Sequence, residues 1–438
     1  MARASRRHKT HFGPGRKMPA WVEKGLENRT LAYLRTHLTG KDLSQYNDEL
    51  KCWVITIPKV FSLIKNPNDV LDILYTVVAV SSKEPRFLVF DHRPCTDMDL
   101  GASVVLDVIM LNLMQEWKAK GKYHLSGHYP LNRRVRDIFQ CMGMTKHLQI
   151  AEPAPEVEAG FLKFNLFRGR GQPKDRLIGP SDQERAATKL TEYLNDCFEA
   201  AADYAFSVEG QRQVLQWAGE LITNAEEHSE QAEWYAIAFM HPLLSGKPDD
   251  PNSNIVGECQ LAIFNFGSSV HESLSCLETP EEMRRQITAM VEKHAGRRFF
   301  LTPGYSEGDL WTLYALQDGI SRFASAPGAL DRGKGTVRMI QAFQALGDTL
   351  DKDLEPEMTL ISGTSCIHFT KRYQMRPAQF EGGTRQIIAF NDANSLDERP
   401  DPKHVHSLSG KFPGTLLTFR FFIDKRYLDQ QKGQQKKP

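Results

Sequence analysis

The apolar run VVLDVIMLNLM at residues 104–114 must be hidden from water, and the chain offers few ways to hide it. A bilayer span needs about 20 apolar residues, so this run is too short, and Asp107 interrupts it. The alternative is a long amphipathic helix, ASVVLDVIMLNLMQEWKAKGK, ending at Gly121 and packed on a sheet. Strand signals stand on either side of it. CWVITIP is stopped by Pro58, RFLVFD is a short buried strand, and another strand is predicted around 123–126. NPNDVLDILYTVVAV places apolar residues at helical spacing behind an Asn/Asp start signal, and a helix over about 131–143 closes the unit. This alternation predicts a small α/β domain with a partly parallel sheet.

The rest of the chain has a different rhythm. Residues 151–183 contain Pro153, Pro155, Pro173 and Pro180 and read as a connector, with a hairpin in GFLKFNLFRGRG. Two long helices follow, ERAATKLTEYLNDCFEAAADYA and QRQVLQWAGELITNAEEHS, and then strands at WYAIAFM and CQLAIFNFG. Helical segments run from 279 to 325, a Gly-rich loop leads into TVRMIQAFQALG, and strands return at MTLISG, CIHFTKRY and GTLLTFRFFI. This order predicts a mixed sheet covered by helices on one side. The expected fold class is therefore α/β (α+β) throughout. The boundaries are a basic flexible tail at 1–20, a first domain at 21–150 with short helices at its start, the connector, a second domain at 184–425, and a flexible tail at 426–438.

Charge and cysteine usage narrow the setting. With 25% charged residues and a net charge of +1, the chain has no general nucleic-acid footprint. Only the tails, with Arg3, Arg6, Arg7, Lys9, Arg16 and Lys17 at one end and QQKGQQKKP at the other, offer a basic surface to an acidic partner. Seven scattered cysteines form no CxxC pair and no metal-ligand spacing, which fits a reducing cytoplasm. No signal peptide is expected, because no apolar segment opens the chain, and no membrane partner is expected.

Three segments carry residues suited to chemistry. In ELITNAEEHS, Glu220 and Asn224 lie one turn apart on a helix face. An amide oxygen there can ligate Mg2+, and a carboxylate can orient or deprotonate a nucleophile, although an ordinary charged helix face uses the same residues. In LAIFNFGSSVHESL, a buried strand ends at Asn265 and Gly267 and turns into a helix. A side-chain amide there can pair with a planar base, and glycine permits close approach; many plain strand-to-helix turns look alike. In ALDRGKGTVRMIQAFQ, Gly333, Lys334, Gly335 and Thr336 open a helix whose free N–H groups favour phosphate. Gly328, Gly333 and Lys334 match the GxxxxGK spacing of a P-loop, but Gly335 stands where the Mg2+-binding hydroxyl belongs, so that reading is rejected.

Taken in order, the three segments resemble the ATP-binding domain of the GHKL superfamily, over roughly residues 185–425. Glu220-Leu221-Ile222-Thr223-Asn224-Ala225 is similar to that family's Glu-x-x-x-Asn-Ala helix. Asn265-Phe266-Gly267-Ser268-Ser269 matches its Asp-x-Gly-x-Gly box in part, with Asn for Asp and Ser269 for the second Gly. Gly333-Lys334-Gly335-Thr336 matches the Gly-x-Gly box, Gly414-Thr415 the late strand opening with Gly-Thr, and LISGTSCIHF the family's strand-turn-strand. The resemblance implies a two-layer α/β sandwich that binds ATP and Mg2+. Asn224 would ligate the metal, Glu220 would serve the nucleophile, and Asn265 and Thr415 would meet the base. Gly267 would let the backbone come close, and Gly333 to Thr336 would cap the phosphates. LYALQDGISRFAS at 313–325 would be a lid, with Arg322 and Arg332 as possible phosphate contacts.

Residues 50–150 resemble a STAS-like domain through RFLVFD, MDLGASVVL and NRRVRDIFQCMGM. In phosphorylated members a Ser follows the Asp before the long helix; Leu100 follows Asp99 here, and Thr96 and Ser103 are out of register, so no phosphoacceptor is expected. The pairing implies an Mg-ATP-dependent switch with slow hydrolysis, coupled to a protein partner or to self-association. The alternatives are a protein serine/threonine kinase of the anti-sigma-factor type and a non-catalytic nucleotide-binding scaffold. A two-component histidine kinase is disfavoured, since no phosphoacceptor His sits in a helical hairpin before residue 220.

Overall fold

The computed structural model describes residues 11–12, 28–83, 85–120, 124–143, 160–171, 180–227, 233–246, 254–276, 279–295, 305–320, 335–345, 348–380 and 383–435. They form two compact units, Met1–Ala159 and Gly160–Pro438.

In the first unit, strands β1 (His11–Phe12), β2 (Gln45–Asn47), β3 (Cys52–Thr56), β5 (Phe87–Asp91) and β7 (His124–His128) make one sheet in the order β1-β7-β5-β3-β2. The three central strands pair in parallel and both outer pairings are antiparallel, so the partly parallel sheet is present. A separate parallel pair joins β4 (Val60–Phe61) to β6 (Asp97–Met98). Parallel neighbours require crossovers, and helices α2 (Pro67–Ser81) and α3 (Leu100–Lys120) supply them. Helix α1 (Arg29–His37) packs on both, and α4 (Arg133–Met142) closes the unit against α3. β1 lies within the segment read as a tail.

The apolar run sits inside α3, which is longer than the run itself: Leu100–Trp117 is long and apolar enough to cross a membrane by composition. Instead, 83% of that stretch is buried inside the protein. Asp99 starts the helix. Its Oδ1 accepts from Ala102 N–H at 2.7 Å, and its Oδ2 accepts from the Ser62 hydroxyl at 2.7 Å. Burial pushes this carboxyl up, against the pull of those hydrogen bonds. Thr96 is exposed and Ser103 buried, and Asp99 is committed to capping.

The second unit is built on a five-stranded sheet, β11-β14-β10-β9-β8, whose strands are β8 (Leu162–Arg170), β9 (Glu233–Ser245), β10 (Asn254–Phe266), β11 (Glu357–Phe369) and β14 (Val405–Ile423). Every pairing in it is antiparallel, so the mixed pairing expected for this unit is found in the first unit only. The reason is connectivity: β9 and β10 form a hairpin, and β14 runs back between β10 and β11.

Three further expectations need correction. GFLKFNLFRGRG is not a hairpin but the single edge strand β8, paired with β9 through a bulge between Phe164 and Phe167. LISGTSCIHF is not strand-turn-strand: β11 continues through it, with register shifts around Gly363. Residues read as the final tail form helix α11 (Lys425–Gln435), held by a Tyr204–Asp429 hydrogen bond of 2.6 Å and by Lys432 over the Tyr204 ring.

Helices α5 (Asp182–Ala202), α6 (Val208–Glu227) and α10 (Gly335–Ala345) bury one sheet face. Ser181 and Glu184 form a capping box that starts α5. Trp217, Ala218, Leu221, Ile222 and Ala225 of α6 recur at helical spacing and share one core with Ile263, Leu417 and Leu360 of the sheet. Between β10 and β11, helices α7 (Val270–Ser275), α8 (Glu281–Ala295) and α9 (Glu307–Ala315) enclose a smaller core around Trp311 and Tyr314. A separate ribbon of β12 (Arg376–Phe380) and β13 (Gly383–Ile387) interrupts the path from β11 to β14. Just beyond α9, buried Gln317 donates to Ile388 C=O at 3.1 Å and accepts from Ile388 N–H at 3.0 Å.

Candidate functional site

Along the helix-covered face, each strand alternates as a half-buried strand should, and then the pattern breaks in one row. The β10 sequence Cys259, Leu261, Ile263 is followed by Asn265; β14 reads Phe419, Leu417, then Thr415; β11 reads Met358, Leu360, then Ser362. The register places these residues side by side: Trp234 pairs with Asn265, Asn265 with Thr415, and Thr415 with Ser362. A line of polar groups thus crosses the sheet where its core ends.

Asn265 is wholly buried, and neither its Oδ1 nor its Nδ2 has a hydrogen-bond partner among the described residues. Leaving a buried amide unsatisfied costs about 1–3 kcal/mol, which natural folds tolerate at few positions. Its backbone is fixed by Gly414, whose φ of +140° is open to glycine and where any β-carbon would strike the Asn265 carbonyl. The neighbouring hydroxyls are linked: Ser362 Oγ and Thr415 Oγ1 are 2.9 Å apart, and Ser362 Oγ accepts from Val270 N–H at 2.8 Å. Gly267 continues the strand end, its N–H donating to Pro413 C=O at 3.2 Å. Ser269 and Glu272 then cap α7. Burial alone would raise the Glu272 carboxyl. Its ion pair with Lys411 at 2.6 Å and its Ser269 bonds hold it down at about 2.

Helix α6 brings in the other group. Its apolar face is spent on the core, leaving Glu220 and Asn224 half-buried beside it. Glu220 Oε1 accepts from Arg338 at 3.0 Å, and its Oε2 lies against Gly335, at the start of α10. A β-carbon at 335 would stand 3.1 Å from the Glu220 Cδ and collide with Oε2. The Asn224 side chain makes no hydrogen bond among the described residues. Two residues further along, Glu226 accepts from Trp234 Nε1 at 3.1 Å, tying α6 to the polar row. Burial raises the Glu226 carboxyl, opposed by that hydrogen bond.

The structure therefore brings Asn265 to Thr415, and Glu220 to Gly335, with Thr336 following on α10. Gly333, Lys334, Arg322 and Arg332 lie outside the described residues, as does the part of the expected lid beyond Ile320. Ser362 and Trp234 are absent from the sequence-derived set; the period-2 position of Ser362 in MTLISG was the available signal. Among the described residues, no group of three or more His, Cys, Asp or Glu side chains could hold a metal ion. Asn224, with a free amide oxygen, suits a metal that arrives with most of its oxygen ligands. Comparison of the chain with protein-family models, curated proteins and solved structures found no match.

Proposed function

We propose that the unit Gly160–Pro438 binds Mg-ATP and acts as a cytoplasmic regulatory switch, with slow hydrolysis. The observation that carries this reading is Asn265: a fully buried amide with both polar atoms unpaired, set at the end of a core face beside Thr415. A planar base offering one donor and one acceptor satisfies both atoms at once. Glu220 then serves an attacking water, and Asn224 lends one oxygen to the metal. Gly335 and Thr336 present the start of α10 to phosphate. Bound Mg2+ would supply charge neutralisation at the phosphates; positioning is the protein's own task.

The resemblance of the first unit to STAS-like domains supports a role in sensing or partner binding, and a protein kinase would use Glu220 on a partner's hydroxyl instead of water. A second reading, a scaffold that binds nucleotide without turning it over, is favoured by the Arg338 ion pair, which already occupies Glu220 Oε1. Titration calorimetry with Mg-ATP, followed by phosphate release from γ-labelled ATP, tests both. The absence of binding at millimolar nucleotide rejects both readings. Binding without release selects the scaffold, and Glu220→Ala must abolish any release while sparing binding.

A further inference from the structure

We infer that this site does not select adenine: it accepts 6-amino and 6-keto purine nucleotides, ATP and GTP, with comparable affinity. The inference rests on the nucleotide-binding reading above and concerns which base the row can hold.

A site discriminates between hydrogen-bonding edges when its own groups have fixed polarity, because the wrong edge then leaves a buried donor facing a donor. Of this row, Trp234 is a fixed donor but gives its Nε1 hydrogen to Glu226, and the other members have no fixed polarity. Asn265 carries an acceptor and a donor on one planar head, both unpaired. A half-turn about its last side-chain bond exchanges them. In one setting Oδ1 accepts from the adenine amine while Nδ2 donates to ring N1. In the other, Oδ1 accepts from the guanine ring N1–H while Nδ2 donates to O6. A carboxylate has no hydrogen for adenine N1 or guanine O6, and would instead accept from the guanine N1–H and 2-amino group together.

Its neighbour on β14 is equally reversible. Ser362 Oγ already accepts from Val270 N–H, so its own hydrogen has two destinations, Gly414 C=O at 3.4 Å or Thr415 Oγ1 at 2.9 Å. With the hydrogen on Gly414, Thr415 donates to Ser362 and its oxygen is left to accept. With it on Thr415, that hydroxyl is free to donate. Both members of the pair can therefore follow the base, and neither is charged.

Titration calorimetry on the full chain with Mg2+ and ATP, GTP or ITP tests this. The three dissociation constants are expected to agree within about fivefold, against the tenfold or greater ratios of sites with fixed polarity. Asn265→Asp, which can only accept, should shift the ATP:GTP ratio about tenfold or more toward GTP, whose N1–H and 2-amino group both donate to a carboxylate. The wild-type comparison decides the matter even if that variant does not fold. Tight ATP binding with GTP and ITP weaker by more than about fiftyfold would overturn the inference while leaving the nucleotide reading intact. No binding of any of the three would overturn both.

Discussion

The Glu220 carboxylate occupies the space where a side chain at residue 335 would begin. Two segments more than a hundred positions apart are thus fitted to one another, and alanine at 335 has no room unless Glu220 moves. Gly335→Ala should destabilise the second unit by about 1–3 kcal/mol, the usual cost of forcing a group into a packed site. It should also lower ATP turnover at least tenfold by displacing the carboxylate. Thermal melts and phosphate-release rates on the same preparation check both; unchanged turnover would remove Glu220 from the chemistry.

Asn265→Leu separates stability from function in the opposite sense. An unsatisfied buried amide is a burden on the empty protein, so an apolar side chain of similar size should stabilise it by about 1–3 kcal/mol. The same change should erase the rise in melting temperature that Mg-ATP is expected to produce. A destabilised Asn265→Leu protein would mean the amide has a role in the folded chain itself.

What the sequence shows and what it hides follow from the range of the forces involved. Local pattern suffices for α6, where Glu220 and Asn224 flank an apolar stripe, and for the break at Asn265 and Gly267. Ser362 is hidden because Gly363 reads as a turn, whereas in the sheet it is a bulge absorbed by pairing with a strand some fifty residues later. β8 is hidden for a similar reason: the glycines at both ends of GFLKFNLFRGRG suggest a hairpin, but its partner is β9, across two helices. Helix α11 has almost no apolar face, and contacts with Asp203 and Tyr204 hold it. Arg338 is legible only once α10 is laid beside α6.

Arg338→Ala should leave stability nearly unchanged. Both partners of its ion pair are about one-third exposed, with side-chain exposures of 30% and 31%, so screening limits the pair to at most about 1 kcal/mol. Its effect should appear in turnover: releasing Glu220 Oε1 should raise the hydrolysis rate several-fold. A fall would instead make Arg338 a group that positions the carboxylate.

Acid should weaken the protein well before its carboxylates titrate. Burial holds His92 down at about 3, with Asp91 opposing, and holds His368 at about 4, helped by His404 and His406. The ordinary histidine value is 6.5, so between that and the folded values the unfolded chain binds more protons than the native one. Stability is complete above pH 6.5 and falls as pH is lowered toward 3, by up to about 1.4 kcal/mol per pH unit for each group. Denaturant melts at pH 7, 6, 5 and 4 should show this slope, and His92→Gln should flatten the part belonging to the first unit.

The pairing of Asn265 with Thr415 also sets a timetable. β14 is an inner strand of its sheet, flanked by β10 and β11, yet it comes last of the five from the ribosome. Until Thr415 has emerged, β10 has one bare edge and Asn265 has no neighbour on that side. Sheets closed by such distant pairings assemble late, and their unfinished edges are sticky. Nascent chains stalled before residue 405 should therefore be unable to hold nucleotide and should depend on chaperones. Ligand binding would then report that the chain has been made through its last strand.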